Sequence, residues 1–239
     1  MAEICDQVMA GISCFPWNGD NCSVHDMVTL LSDSWLSDFH IDSTLQNISH
    51  NYGNHYGAEA SDQHVLLPVF DINSIVSAYK GHQKHGCAVE KGKNLLEVER
   101  RIILGQVDSA GGVLCPPNHW TSLVITFKQP GILYGDSLRN PMPFDKASSF
   151  WRWIVHRLSQ SGTKVQESQI PISPLGIATQ QDSNSHGLFA LNAISHHYLQ
   201  QKSPLLHSNP QSLRNYQMEI ALGLLQKGAV STLLNANLL

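Results

Sequence analysis

The order of apolar patterns along this chain predicts an α+β fold. Two observations carry the prediction. Apolar residues recur at helical spacing in the first fifth of the chain and again beyond residue 144, and between these regions short apolar runs are cut by Gly and Pro. Helices, then strands, then helices is the order of an α+β domain, not of a repeating βαβ unit. Hydrophobic residues make up 42% of the 239 residues, enough for one sizeable core. The expected organisation is an irregular lead-in over 1–24 and a single domain over 25–239, with a central mixed sheet flanked by N- and C-terminal helices.

The elements follow from local signals. Residues 1–24 carry turn formers such as Pro16, Asn18 and Gly19. His25–Leu31 and Ser34–Ile48 have helical spacing; in the second, Ser34 is the expected N-cap and Trp35, Leu36, Phe39 and Leu45 form the stripe. Residues 49–63 read as a polar loop around Gly53 and Gly57, and 65–70 is too short to assign. Asp71–Tyr79 is helical, and Gly81–Gly86 breaks it. Arg101–Gly105, Gly112–Cys115, Trp120–Phe127 and Gly131–Tyr134 read as the strand-rich middle, the last two joined by a hairpin-like turn at Lys128-Gln129-Pro130-Gly131. Phe144–Ser159, Leu188–Leu199 and Pro210–Leu225 are amphipathic or apolar helices.

Composition narrows the function. Lys and Arg number 15 against 19 Asp and Glu, for a net charge of −4. No cationic excess exists to neutralise phosphates, so a general nucleic-acid-binding face is excluded. No apolar run reaches the ~20 residues of a membrane helix, and the N-terminus lacks a basic region followed by an apolar one. The five cysteines (Cys5, Cys14, Cys22, Cys87 and Cys115) have no CxxC spacing, which points to reduced thiols and an intracellular place, nuclear or cytoplasmic. Histidine appears 13 times. His82, His85 and Cys87 form a possible metal cluster, read instead as a solvated loop. His25, His40, His50, His55, His64, His156, His196, His197 and His207 show no partner spacing and read mostly as surface residues.

Four short pieces carry chemistry. Asn118-His119-Trp120 stands at a strand start, and Tyr134-Gly135-Asp136-Ser137-Leu138 at the end of the next strand. A hairpin brings His119 and Asp136 side by side, so that the carboxylate orients the imidazole as it does for a general base. Further on come Gln180-Gln181-Asp182 and Ser185-His186-Gly187-Leu188-Phe189, a side-chain amide just ahead of a helix start. Such a start lowers a thiol pKa and stabilises an oxyanion.

These residues resemble the ubiquitin-like-protein proteases, the cysteine peptidases that include the SUMO- and NEDD8-specific enzymes. Trp35-Leu36-Ser37-Asp38 is similar to the family's early Trp-Leu-x-Asp element, so the resemblance runs from Trp35 to the helix after Gly187. It implies a papain-like α+β fold with no cofactor and a ubiquitin-like modifier or its conjugates as partner. It also implies His119 as general base, Asp136 as its orienting group and Gln180 as oxyanion donor. Trp35, Asp38, Trp120 and Gly187 become substrate-binding residues; for Trp120, covering a narrow Gly-Gly tunnel stands beside ordinary core packing.

One position departs from the family pattern. Where the nucleophilic Cys precedes the glycine, this chain has His186, and no cysteine follows Cys115. Ser185 points about 100° away in a helix-opening turn. The expected activity is therefore a pseudo-protease, inactive or impaired, with modifier binding retained. Two alternatives stand beside it: an active deconjugating protease whose Cys was replaced at 186, and a weak metal site at His119 and His186, with Asp136 behind His119.

Overall fold

The computed structural model describes residues 14–17, 20–80, 92–165 and 170–236. Strands β1 (Cys14–Trp17) and β2 (Asp20–Ser23) pair antiparallel. Part of the expected irregular lead-in is therefore an antiparallel strand pair. Helix α1 (Val24–Leu31) starts from a Ser23 capping box, in which Ser23 Oγ accepts from the Asp26 N–H at 3.1 Å.

Helix α2 (Asp38–Tyr56) begins at Ser37, not at Ser34. His40 decides the start: its Nδ1 accepts from the Ser37 N–H at 3.1 Å, and its Nε2–H donates to the Asp26 carbonyl at 2.8 Å. Trp35 and Leu36 therefore stand ahead of the helix. The expected loop over 49–63 is instead the rest of α2 and a short helix α3 (Ala58–Gln63), with Gly57 between them at φ 92. That positive φ is where the glycine was needed.

Strand β3 (His64–Leu67) leads into α4 (Val69–Ala78). Helix α5 (Lys93–Ile103) replaces the strand expected at 101–105. Leu95, Val98 and Ile102 bury one face of it, and this helical spacing outweighs the short Ile102-Ile103-Leu104 run. Then come β4 (Ser109–Leu114), β5 (Thr121–Thr126), β6 (Gly131–Gly135), α6 (Phe144–Gln160), β7 (Ile172–Pro174), α7 (His186–Leu199) and α8 (Pro210–Ala236).

The five strands run in the order β3-β4-β5-β6-β7, parallel at both outer pairs and antiparallel inside. Alternate residues of β5 serve two cores. Val124 joins α7, α2 and α8 on one face, while Leu123 and Ile125 join α4, α5 and α6 on the other. Both faces are covered, which explains why β4 is buried throughout and lacks an alternation of apolar and charged residues. Gly111 in β4 is required by close approach, because a Cβ there would lie 2.8 Å from the Tyr198 ring of α7. Among the described residues no helix is long and apolar enough to cross a membrane.

Candidate active site

The site lies where the β5–β6 hairpin meets the start of α7. Ser122 pairs with Gly135 in the antiparallel register, so the residues just before β5 and just after β6 share one end of the sheet. There His119 Nε2–H donates to Asp136 Oδ1 at 2.7 Å. The same oxygen accepts the Leu138 N–H at 2.7 Å, which fixes the carboxylate. Asp136 is nearly sealed, its side chain 2% exposed, while that of His119 is 13% exposed. Asn118, directly before His119, has φ 58, a left-handed conformation that asparagine tolerates and that turns the chain into β5.

His186 opens α7 on the other side of His119. The two rings have centroids 5.1 Å apart at 65°. His186 is 2% exposed, and its Nδ1 accepts the Trp120 backbone N–H at 3.2 Å. That bond assigns the proton of the neutral ring to Nε2. Burial holds the imidazole down to about 4, His119 pushes it the same way, and Asp182 and Asp136 act against them. His186 Nε2 has no hydrogen-bond partner among the described residues. Trp35 stands over the ring, edge to face, at 5.0 Å and 77°.

Gln180 is clamped into the same corner. Its N–H donates to the Ser137 carbonyl at 3.1 Å, its Oε1 accepts from the Ser137 hydroxyl, and its Nε2 donates to the Asp182 carbonyl at 2.8 Å. One amide hydrogen is left over. Asp182 Oδ1 in turn accepts the N–H groups of Asn184 and Ser185 at 3.0 and 2.7 Å, forming the turn that launches α7. Burial raises the Asp182 carboxyl, but the bonds from Ser185 and Asn184 and the nearby His186 leave it below its usual range. The sequence reading missed the parts played by Ser137 and Asp182. The Asp182-x-Asn184-Ser185 spacing is a legible turn signal, whereas nothing local marks Ser137.

The expected substrate-binding residues separate in space. Trp120 is 5% exposed, and its Nε1–H donates to the Leu36 carbonyl at 2.9 Å. Gly187 lies beneath it, where a Cβ would come within 3.2 Å of both Leu36 and Trp120. Trp35 is 48% exposed, and Asp38 is exposed in the first turn of α2. Of the two tryptophans, Trp35 is thus the one exposed to solvent beside His186. The walls include Tyr134, Leu138, Pro141 and Pro143, around a cleft of about 420 Å³.

Cys115 is exposed at the end of β4. Its Sγ lies 3.5 Å from the Pro116 carbonyl, and burial of part of its surface together with the Asp38 carboxylate pushes the thiol up. No group of three or more His, Cys, Asp or Glu able to hold a metal exists among the described residues. His82, His85 and Cys87 lie outside them. Several histidines expected at the surface are structural: His40 is buried, and His64 Nδ1 bonds Ser109 Oγ at 2.9 Å.

Comparison with solved structures decides the fold. The chain matches the Ulp1-like SUMO protease catalytic domain of Chaetomium thermophilum with a TM-score of 0.70 at 18% identity, over 95% of this chain and 90% of that one. This is the fold of a SUMO protease domain. A de-sumoylating protease matches at TM-score 0.65 and 16% identity, over 94% of this chain and 95% of that one. The C-terminal Ulp1 protease domain, solved in complex with Smt3, the yeast ortholog of SUMO, matches at 0.63 and 15%, over 95% and 96%. Ulp1 has also been solved with its catalytic cysteine oxidized to a sulfenic acid. No protein-family model matches the chain, and no curated protein matches it. The five-stranded mixed sheet flanked by helices is therefore the SUMO-protease architecture, built on a widely divergent sequence.

Proposed function

We propose that residues 25–239 form a pseudo-protease: a SUMO-protease-like domain that holds the C-terminal tail of a ubiquitin-like modifier, of SUMO or NEDD8 type, without cleaving it. His119, Asp136 and Gln180 would be the inherited base, its orienting group and the oxyanion donor, with His186 in the place of the thiol. One observation carries the reading. The only lone-pair nitrogen of neutral His186 is Nδ1, and it is occupied by the Trp120 N–H. The other nitrogen bears the proton and has no lone pair with which to attack a carbonyl.

No neighbour replaces it. Ser185 is held in the turn by its backbone N–H on Asp182 Oδ1, one position off the ring, and the Cys115 thiol is pushed up. His119 Nε2 is spent on Asp136 and Nδ1 has no hydrogen bond among the described residues, but a base without a nucleophile completes no acyl transfer. Trp35, Leu138 and the proline-rich wall remain to grip an extended tail. Such a partner, and the cysteine pattern, fit a nuclear or cytoplasmic protein.

The test is an activity-based SUMO or NEDD8 probe with a C-terminal electrophile. The chain should stay unlabelled, the His186→Cys variant should react, and Asp136→Asn in that background should slow it at least ~100-fold. Calorimetry with unmodified SUMO, NEDD8 and ubiquitin should show saturable binding to one of them. Labelling of the unaltered chain, or no binding to any modifier, overturns the proposal.

A further inference from the structure

We infer that Ser137 is a positioning residue: its buried hydroxyl fixes the orientation of the Gln180 amide and ties that amide to the turn carrying Asp136. The inference rests on the reading of Gln180 as oxyanion donor and goes beyond it by naming what holds the donor. A side-chain amide has two opposite ends, an oxygen that only accepts and a nitrogen that only donates. Turned about its last bond, the same group offers a carbonyl oxygen where an oxyanion needs an N–H. Gln180 lines the cleft, so its orientation decides whether it helps or hinders there.

The surroundings leave one arrangement. The Asp182 carbonyl, 2.8 Å away, can only accept, so the amide end beside it is Nε2. Oε1 then faces the Ser137 hydroxyl, which donates to it. Ser137 is fully buried and Gln180 is 5% exposed, so solvent does not compete for this bond. The Gln180 N–H also donates to the Ser137 carbonyl, at 3.1 Å. Ser137 thus holds Gln180 by backbone and side chain at once.

The same turn carries the other half of the site. The Arg139 N–H donates to the Asp136 carbonyl at 3.0 Å, closing the turn, and the Leu138 N–H donates to Asp136 Oδ1. Arg139, at φ 64, reaches across with its Nε–H to Thr179 Oγ1 at 2.8 Å. Ser137 and Arg139 on one segment therefore grip Gln180 and Thr179 on the other. The carboxylate that orients His119 and the amide of Gln180 are set by one unit. Without the Ser137 hydroxyl, Oε1 becomes a buried acceptor with no partner, and the side chain gains orientations that satisfy it elsewhere.

The experiment follows the Gln180 side-chain amide in ¹H–¹⁵N spectra of the unaltered chain and of Ser137→Ala, then reads probe labelling in the His186→Cys background. In the unaltered chain the Nε2 proton on the Asp182 carbonyl should exchange slowly with solvent, and Ser137→Ala should speed that exchange at least tenfold. In His186→Cys, Gln180→Ala should slow labelling at saturating probe about 100-fold. Ser137→Ala should slow it at least tenfold, with the half-saturating probe concentration unchanged. Both substitutions together should cost no more than Gln180→Ala alone, because Ser137 acts through that amide. An unchanged Gln180 amide in Ser137→Ala, or a labelling effect that adds to that of Gln180→Ala, overturns the inference. A freely exchanging Gln180 amide in the unaltered chain overturns it even if Ser137→Ala fails to fold. No labelling of His186→Cys counts against the proposed function alone, and the amide spectra then decide the role of Ser137.

Discussion

Acidification should weaken this fold through His186 by an amount that can be isolated. The ring is 2% exposed and neutral, held down to about 4 from an ordinary value of 6.5 by burial first and His119 second. A base whose pKa is depressed in the folded state takes up its proton more readily once unfolded. Its contribution is therefore complete above pH 6.5 and drains away as pH falls toward 4. Between pH 7.5 and 4.5 the unfolded chain protonates this histidine and the folded chain largely does not, which amounts to about 2.5 kcal/mol at 1.36 kcal/mol per pH unit. Urea unfolding at the two pH values, on the unaltered chain and on His186→Cys, measures the difference. Other histidines depressed by burial, such as His64 and His197, contribute to both proteins and cancel in the subtraction. The unaltered chain should lose about 2–3 kcal/mol more than the variant. Equal losses, or a His186 ring that titrates near 6.5 by NMR, would falsify the assignment of a buried neutral imidazole.

Two further outcomes follow from the packing. Burial pushes Asp42 up to about 6, with Asp38 and Asp71 adding to it, against the Val69 N–H that its Oδ1 accepts at 2.8 Å. A carboxyl raised in the fold stabilises only while protonated, so that benefit fades as pH climbs through 6. Asp42→Asn keeps an oxygen for Val69 and should stabilise by about 1–2 kcal/mol at pH 7.5 and by almost nothing at pH 4; an unchanged urea midpoint at pH 7.5 counts against it. Gly111→Ala places a methyl 2.8 Å from the Tyr198 ring and hydroxyl, and that hydroxyl bonds Ser109 Oγ at 3.1 Å. A loss of about 1–3 kcal/mol is expected in thermal melts, and a neutral result would mean that Tyr198 can withdraw.

Much of the candidate site was legible in the chain because its parts are local. His119 and Asp136 bracket a hairpin, and a hairpin joins its ends by register alone. Helices α6 and α7 were legible because strong 3.6-residue spacing leaves little choice. Where signals competed, reading failed. Gly53 suggested a loop inside what is α2, and Ile102-Ile103-Leu104 suggested a strand at the end of α5. The three-residue β7 has no signal of its own; it is a strand only because β6 offers it a partner.

The two tryptophans divide what sequence determines from what it leaves to the fold. Sequence alone established that residue 186 is a histidine, at the position where the resemblance leads one to expect a thiol, because residue identity depends on nothing else in the chain. It could not say which tryptophan is exposed. Burial is set by what packs from elsewhere: Leu36 and Gly187 close over Trp120, while Trp35, one residue before Leu36, is left at the surface above His186. Tertiary structure likewise decided which nitrogen of His186 carries the proton. The Trp120 N–H that fixes it comes from 66 residues away, a distance that no local pattern spans.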